Sequence, residues 1–181
     1  MTKLYPEFER ILVTEEQIQA KVSEMAAQIS QDFKGKGSIV LVSILKGAFM
    51  FTADLSRQLT IPHYIDFMAL SSYGSKAVSG AVRILLDLRA DVYNKHVLIV
   101  EDIVDTGNTI NYLYTVLQTK KPASLKTCAL TRKEGKRLDI QVDYLGFTIP
   151  DVWVVGYGLD FAERHRTWPF IAELKKEVYQ G

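Results

Sequence analysis

Apolar residues recur at helical spacing between residues 14 and 33, where Ile18, Val22, Met25, Ile29 and Phe33 line one face. Thr14 followed by Gln17 is a capping-box signature for that helix, and Gly35 and Gly37 stop it. The rhythm then changes. Residues 38–44 form a continuous apolar run, the signature of a strand covered on both faces, and residues 48–59 return to helical spacing. Pro62 separates that helix from a strand over 64–70. Residues 71–81 are polar, small and glycine-containing and read as a loop, with a strand over 82–86. Further strands are expected over 96–101, 125–130 and 152–155, and a helix begins near Asn108 with Ile110, Leu113, Val116 and Leu117 on one face. Strands alternating with helices predict an α/β fold, a central parallel sheet flanked by helices with right-handed crossovers. No internal repeat or linker interrupts residues 1–181, so one domain is expected. Ligands on such sheets sit beyond the carboxyl ends of the strands.

The stretch 96–113, HVLIVEDIVDTGNTINYL, concentrates the chemistry. A buried strand turns acidic at Glu101, Asp102 and Asp105, passes Thr106 and Gly107, and enters a helix through Asn108 and Thr109. The free amides of a helix N-terminus and its dipole attract an anion, glycine lets backbone approach a phosphate, and the hydroxyls of Thr106 and Thr109 add donors. Three carboxylates beside a phosphate would repel it unless a divalent cation or a polyol lies between them. A sugar phosphate with Mg²⁺ satisfies all of these groups. An isolated acidic turn is more often a solvated helix cap. Here two acids end a buried strand and a third follows on the glycine turn, which favours a ligand.

Composition narrows the classes. A net charge of +1 gives no basis for nucleic acid or an anionic membrane as partner. No window is apolar enough to span a bilayer, the amino-terminal MTKLYPEFERIL lacks a signal-peptide core, and the cytoplasm is the expected compartment. Cys128 is the one cysteine, which excludes an intrachain disulfide, and its apolar surroundings make it a core residue rather than a nucleophile. Asp-Thr-Gly at 105–107 also occurs in aspartic proteases, but those need paired copies in a β-rich setting. The spacing of Asp102 and Asp105 differs from the Asp-x-Asp-x-Thr of aspartyl phosphatases.

VLIVEDIVDTGNT resembles the 5-phosphoribosyl 1-pyrophosphate motif of type I phosphoribosyltransferases. With SILKGAFMFTADL, LSSYGS, TRK and IPDVWVVGYGLDFAERHR, most of the chain resembles the bacterial-type hypoxanthine or hypoxanthine-guanine members of that family. The resemblance implies that family's fold, with a small hood built from the N- and C-terminal segments. It implies transfer of 5-phosphoribose from 5-phosphoribosyl 1-pyrophosphate to a 6-oxopurine base, with Mg²⁺ required, in purine salvage. A homodimer or homotetramer is expected. The rival readings are a non-catalytic purine-responsive regulator of the same fold, and a transferase preferring xanthine or another base.

Site residues follow from the same resemblance. Glu101, Asp102, Asp105, Thr106, Gly107, Asn108 and Thr109 would hold the phosphoribose, and Asp105 would be catalytic, accepting a proton or hydrogen bond from the purine ring. Lys46, Gly47 and Arg166 would bind pyrophosphate, the peptide before Lys46 being often cis in the family. From spacing alone Lys46 is equally a surface lysine. Lys133, in the basic run TRKEGKR, would donate to the purine's exocyclic oxygen, selecting 6-oxopurines over adenine. Trp153 would stack on the base and the Val154 backbone would read its edge, whereas by position alone Trp153 is equally a core aromatic. Asp160 would lie at the purine site and hold metal with Glu101 and Asp102. Ser72 and Tyr73 would open a lid over the substrate, for which a mobile surface hairpin is the alternative.

Overall fold

The computed structural model describes residues 5–73, 81–136 and 140–180. Nine strands and four helices are described: β1 (Phe8–Val13), α1 (Glu15–Asp32), β2 (Ile39–Leu45), α2 (Phe49–Gln58), β3 (His63–Tyr73), β4 (Ala81–Leu86), β5 (His96–Val104), α3 (Asn108–Thr119), β6 (Ser124–Lys133), β7 (Tyr144–Ile149), β8 (Val154–Val155), β9 (Ile171–Leu174) and α4 (Lys176–Tyr179). Six of these strands form one sheet in the order β4-β3-β2-β5-β6-β7. Pairing is parallel from β3 across to β7, and β4 alone is antiparallel.

Both faces of the parallel strands are covered, which explains the unbroken apolar runs. Successive side chains point to opposite faces. Ile39, Leu41, Leu98 and Val100 therefore meet Ile18, Val22 and Ile29 of α1 and Phe51 and Leu55 of α2. Their neighbours Val40, Val42, Val97 and Ile99 meet Leu113 and Leu117 of α3. The start of α1 is closed by the expected capping box, Gln17 N donating to Thr14 Oγ1 at 3.3 Å and Thr14 N to Gln17 Oε1 at 2.8 Å. Cys128 is fully buried, and burial raises its thiol pKa.

A second sheet, β1-β9-β8, is antiparallel and joins the two ends of the chain into the hood. Phe8, Val155, Ala172 and Leu174 form its core, with Tyr5, Trp168 and Phe170 packed on them.

Several expectations require correction. The expected loop over 71–81 begins as strand, because β3 continues through Ser71, Ser72 and Tyr73 against Ala81, Val82 and Arg83. Residues 74–80 of that segment lie outside the described residues. β5 runs past Glu101 to Val104, since its ladder with β6 continues through Ile103↔Thr131 and Val104↔Arg132. Of the strand expected over 152–155, only Val154–Val155 pairs, and it does so in the hood rather than the main sheet. Strands β1, β7 and β9 have no counterpart in the hydrophobic pattern. β1 mixes polar with apolar residues because only its ends are buried, β7 has just its two end residues buried, and β9 is mostly buried but only four residues long.

Candidate active site

The carboxyl ends of β2, β5 and β6 converge with the hood, and the functional side chains collect there. Between β5 and α3 the chain turns through Asp105 and Thr106, and Gly107 takes a left-handed φ of +80° that a side chain would resist. The N-cap residue Gly107 has no side chain to cap α3, and the side chain of Thr106 bonds its first turn only weakly, Oγ1 accepting from Asn108 N at a long 3.5 Å, so the helix start can turn its amides to an anion. A cavity of ≈180 Å³ lies over this turn, lined by Glu101, Ile103, Val104, Asp105, Thr106, Gly107, Thr109 and Ile110.

Because β5 continues beyond the acids, Glu101 and Asp102 point to opposite faces. Glu101 faces this first cavity, is only 4% exposed, and has an Oε1 atom without a hydrogen-bond partner. A buried acceptor with no partner is costly unless a ligand donor completes it. Burial, and secondarily the charge of Asp102, raises the Glu101 pKa well above the usual carboxylate range. Burial likewise lifts Asp102 to about 6, against the opposing hydrogen bond from Ile103 N to its Oδ1 at 2.9 Å.

Asp102 faces a second cavity of ≈270 Å³, lined also by Ile103, Asp105, Lys133, Trp153, Val154, Leu159 and Asp160. The two cavities share Ile103 and Asp105. Lys133 Nζ lies 3.4 Å from Asp105 Oδ2 and 3.2 Å from Asp151 Oδ1. Lys136 completes a ring of charges, 2.6 Å from Asp151 Oδ2 and 3.9 Å from Asp105 Oδ1. Lys136, and then Lys133, hold the Asp151 carboxyl below its ordinary pKa. Nothing in the sequence marked Asp151 or Lys136. Asp151 reaches the site because β7 lies beside β6 with Ile149 opposite Lys133, two residues before it. Trp153 is 46% exposed and therefore not a core aromatic; its ring stacks on Tyr179 at 5.5 Å and meets the edge of Phe161 at 5.5 Å.

The turn after β2 carries Lys46 and Gly47, with a cis peptide between Leu45 and Lys46. It is wedged tightly. A Cβ on Gly47 would fall 1.6 Å from Asp102 Oδ2, and a Cβ on Gly158 would fall 1.9 Å from the Gly47 carbonyl oxygen. Arg166 braces the same junction, Nη1 donating to the Gly158 carbonyl at 2.9 Å and Nη2 lying 2.9 Å from Asp160 Oδ1. Lys46 Nζ and Arg166 Nη2 also both reach Glu163 Oε2, at 2.9 and 3.2 Å. The Lys46 hydrogen bond, followed by that of Arg166, lowers the Glu163 pKa. Glu163 and Gly158 were also unmarked in the sequence.

The structure thus groups Glu101, Asp105, Thr106, Gly107 and Thr109 around one cavity, with Asn108 opening the adjoining helix. Asp102, Lys133, Trp153, Val154 and Asp160 surround the other. Lys46, Gly47 and Arg166 lie at their junction with the hood. Ser72 and Tyr73 belong to β3, and the rest of the expected lid lies outside the described residues. Among the described residues no three His, Cys, Asp or Glu side chains are grouped to hold a metal ion unaided. No described helix is long and apolar enough to cross a membrane.

Comparison with known proteins places this geometry. Residues 12–162 match the phosphoribosyl transferase domain family. A hypoxanthine-guanine phosphoribosyltransferase of Dictyostelium discoideum is 46% identical over 175 residues, covering 94% of this chain and 97% of that protein. A hypoxanthine phosphoribosyltransferase of Staphylococcus aureus superposes with a TM-score of 0.93 at 42% identity, over 99% of this chain and 98% of that one. The Trypanosoma cruzi hypoxanthine phosphoribosyltransferase, solved with its product IMP, gives a TM-score of 0.90 at 48% identity over 97% and 98% of the two chains.

Proposed function

The chain belongs to the phosphoribosyl transferase family, and from that membership we propose that it transfers 5-phosphoribose from 5-phosphoribosyl 1-pyrophosphate to hypoxanthine, with guanine as a second acceptor. The products are IMP or GMP and pyrophosphate, in purine salvage. One observation carries this reading: two adjoining cavities meet at Ile103 and Asp105, one ending in a helix N-terminus, the other in a lysine and an exposed aromatic.

The 5-phosphate lies against the amides of residues 105–109, where left-handed Gly107 opens the helix end. Ribose hydroxyls donate to the acids of β5, Glu101 Oε1 among the acceptors. The base lies over Trp153 in the second cavity, with Lys133 donating to its exocyclic oxygen. A lysine has donors only, so an exocyclic amino group there leaves both partners unsatisfied and adenine is rejected. Asp105, common to both cavities, accepts a proton or hydrogen bond from the purine ring as the neighbouring nitrogen attacks the sugar; a base of this kind contributes ~10²–10⁴-fold. Lys46, the Gly47 amide and Arg166 receive the departing pyrophosphate. Positioning of base and donor supplies much of the remainder.

Mg²⁺ would neutralise charge on the pyrophosphate. Asp160 and Asp102, which line the same cavity, are the residues proposed to face it; Glu101, expected with them, points from the other face of β5 into the first cavity and does not join them. Asp160 already bonds Arg166 and the Glu163 amide, so the protein would offer the ion few oxygens and substrate oxygens and water would complete its shell, as Mg²⁺ prefers. Self-association into a dimer or tetramer is proposed as well, supported by exposed Ile65, Phe67 and Leu85 on the neighbouring strands β3 and β4. The cytoplasm is the proposed compartment.

Incubating the protein with the donor, Mg²⁺ and single bases tests the reading. Hypoxanthine and guanine should release pyrophosphate and form nucleotide, and adenine should not. Binding of the donor without turnover would instead favour a regulator, and preferential turnover of xanthine would reassign the base.

A further inference from the structure

One carboxylate oxygen stands where two cations converge. Glu163 Oε2 accepts from Lys46 Nζ at 2.9 Å and from Arg166 Nη2 at 3.2 Å. The residue is held from behind, its backbone N–H donating to Asp160 Oδ2 at 2.9 Å with φ at +63° in the left-handed region. Its neighbours Ala162 and His165 share that region at +49° and +74°. L-residues adopt such backbone rarely, so the loop spends conformational preference to aim this side chain. The side chain itself is 65% exposed and that of Lys46 66%, so the pair can part without stranding a buried charge. Arg166 keeps its bonds to the Gly158 carbonyl and Asp160 when Glu163 leaves. Among the described residues Lys46 has no other ion-pair partner.

A carboxylate bonded by both cations has the charge and the donor set that a pyrophosphate oxygen would take. We propose that Glu163 is an intramolecular competitor for the pyrophosphate subsite, displaced when the donor binds and returning as the product leaves. This rests on the assignment of Lys46 and Arg166 to pyrophosphate. The competitor weakens binding of donor and product alike, and in exchange it hastens release of an anion that two fixed cations would retain.

Glu163→Gln keeps the size and removes the charge. Titration calorimetry of magnesium pyrophosphate into the full chain should show binding about two- to thirtyfold tighter in the variant, the range expected for releasing two exposed ion pairs. In steady state the KM for the donor should fall together with kcat, because release slows. IMP titrated alone should bind as in the wild type, and Glu163→Asp should lie nearer the wild type than the glutamine variant. Unchanged or weaker pyrophosphate binding in Glu163→Gln, while Lys46→Met weakens it, overturns the competitor and leaves the subsite standing. Wild-type affinity in Lys46→Met overturns the subsite and the competitor together.

Discussion

Gly47→Ala tests how the turn after β2 is locked to the acids of β5. Gly47 lies outside the left-handed region, so alanine meets no backbone penalty there. In an unconstrained place the change would stabilise by ~0.4–1 kcal/mol through the unfolded chain. Here the new Cβ falls 1.6 Å from Asp102 Oδ2 and 2.4 Å from its Cγ. Restoring ordinary contact near 3.5 Å requires the carboxylate to retreat by roughly 2 Å. The turn cannot yield instead, because Gly158 is packed against its other side. Retreat breaks the 2.9 Å bond from Ile103 N to Asp102 Oδ1, a charge-assisted bond worth ~1.5–3 kcal/mol. The expected loss is therefore about 1–3 kcal/mol, or a midpoint lower by roughly 2–10 °C for a chain of this size. In an Asp102→Ala background the clashing atoms are gone, and Gly47→Ala should become neutral or stabilising. Chemical denaturation of wild type, both single variants and the double variant closes the cycle, with a coupling of about 2 kcal/mol expected. Equal losses in both backgrounds would refute the lock.

Three further outcomes are expected. Asp105→Asn keeps the shape of the turn and a hydrogen-bond acceptor but removes the basic carboxylate, and should lower kcat ~10²–10⁴-fold with little change in the KM for hypoxanthine, read from initial rates. Lys133→Met should reduce kcat/KM for hypoxanthine at least about tenfold and narrow its advantage over adenine, while Asp151→Asn, which frees Lys133 toward Asp105, should have a smaller effect that depends on pH. For Glu101 the folded pKa is raised above the unfolded value, so the folded state holds more protons and stability falls as pH rises through the interval between them. Glu101→Gln should consequently gain more stability over wild type at pH 8 than at pH 5 in magnesium-free denaturation; an equal gain at both would show that the buried carboxylate is not the cause.

The sheet's centre was legible because β2 and β5 are buried on both faces, and a two-sided core leaves an unbroken apolar run. The edges were not. β1 is buried only at its two ends, β7 only at its two ends, and β9 is mostly buried but four residues long, so none leaves a long apolar run. The same gap explains the missed Asp151: its nearness to Lys133 depends on β7 lying beside β6, which periodicity did not show. The anion turn was readable as strand, glycine and helix in succession, since all its parts are local. Its acids were readable as a group but not as two opposed faces, because the extension of β5 to Val104 is set by pairing with β6. Glu163 was hidden for another reason: its meeting with Lys46 spans 117 positions of sequence.

A structure of the protein with IMP and magnesium pyrophosphate is the most direct test of where the substrate is held. The 5-phosphate should lie within hydrogen-bond distance of the amides of residues 105–109, with a ribose hydroxyl on Glu101 and the base between Trp153 and Lys133. A nucleotide seated outside these two cavities, or a phosphate held away from the start of α3, would contradict it.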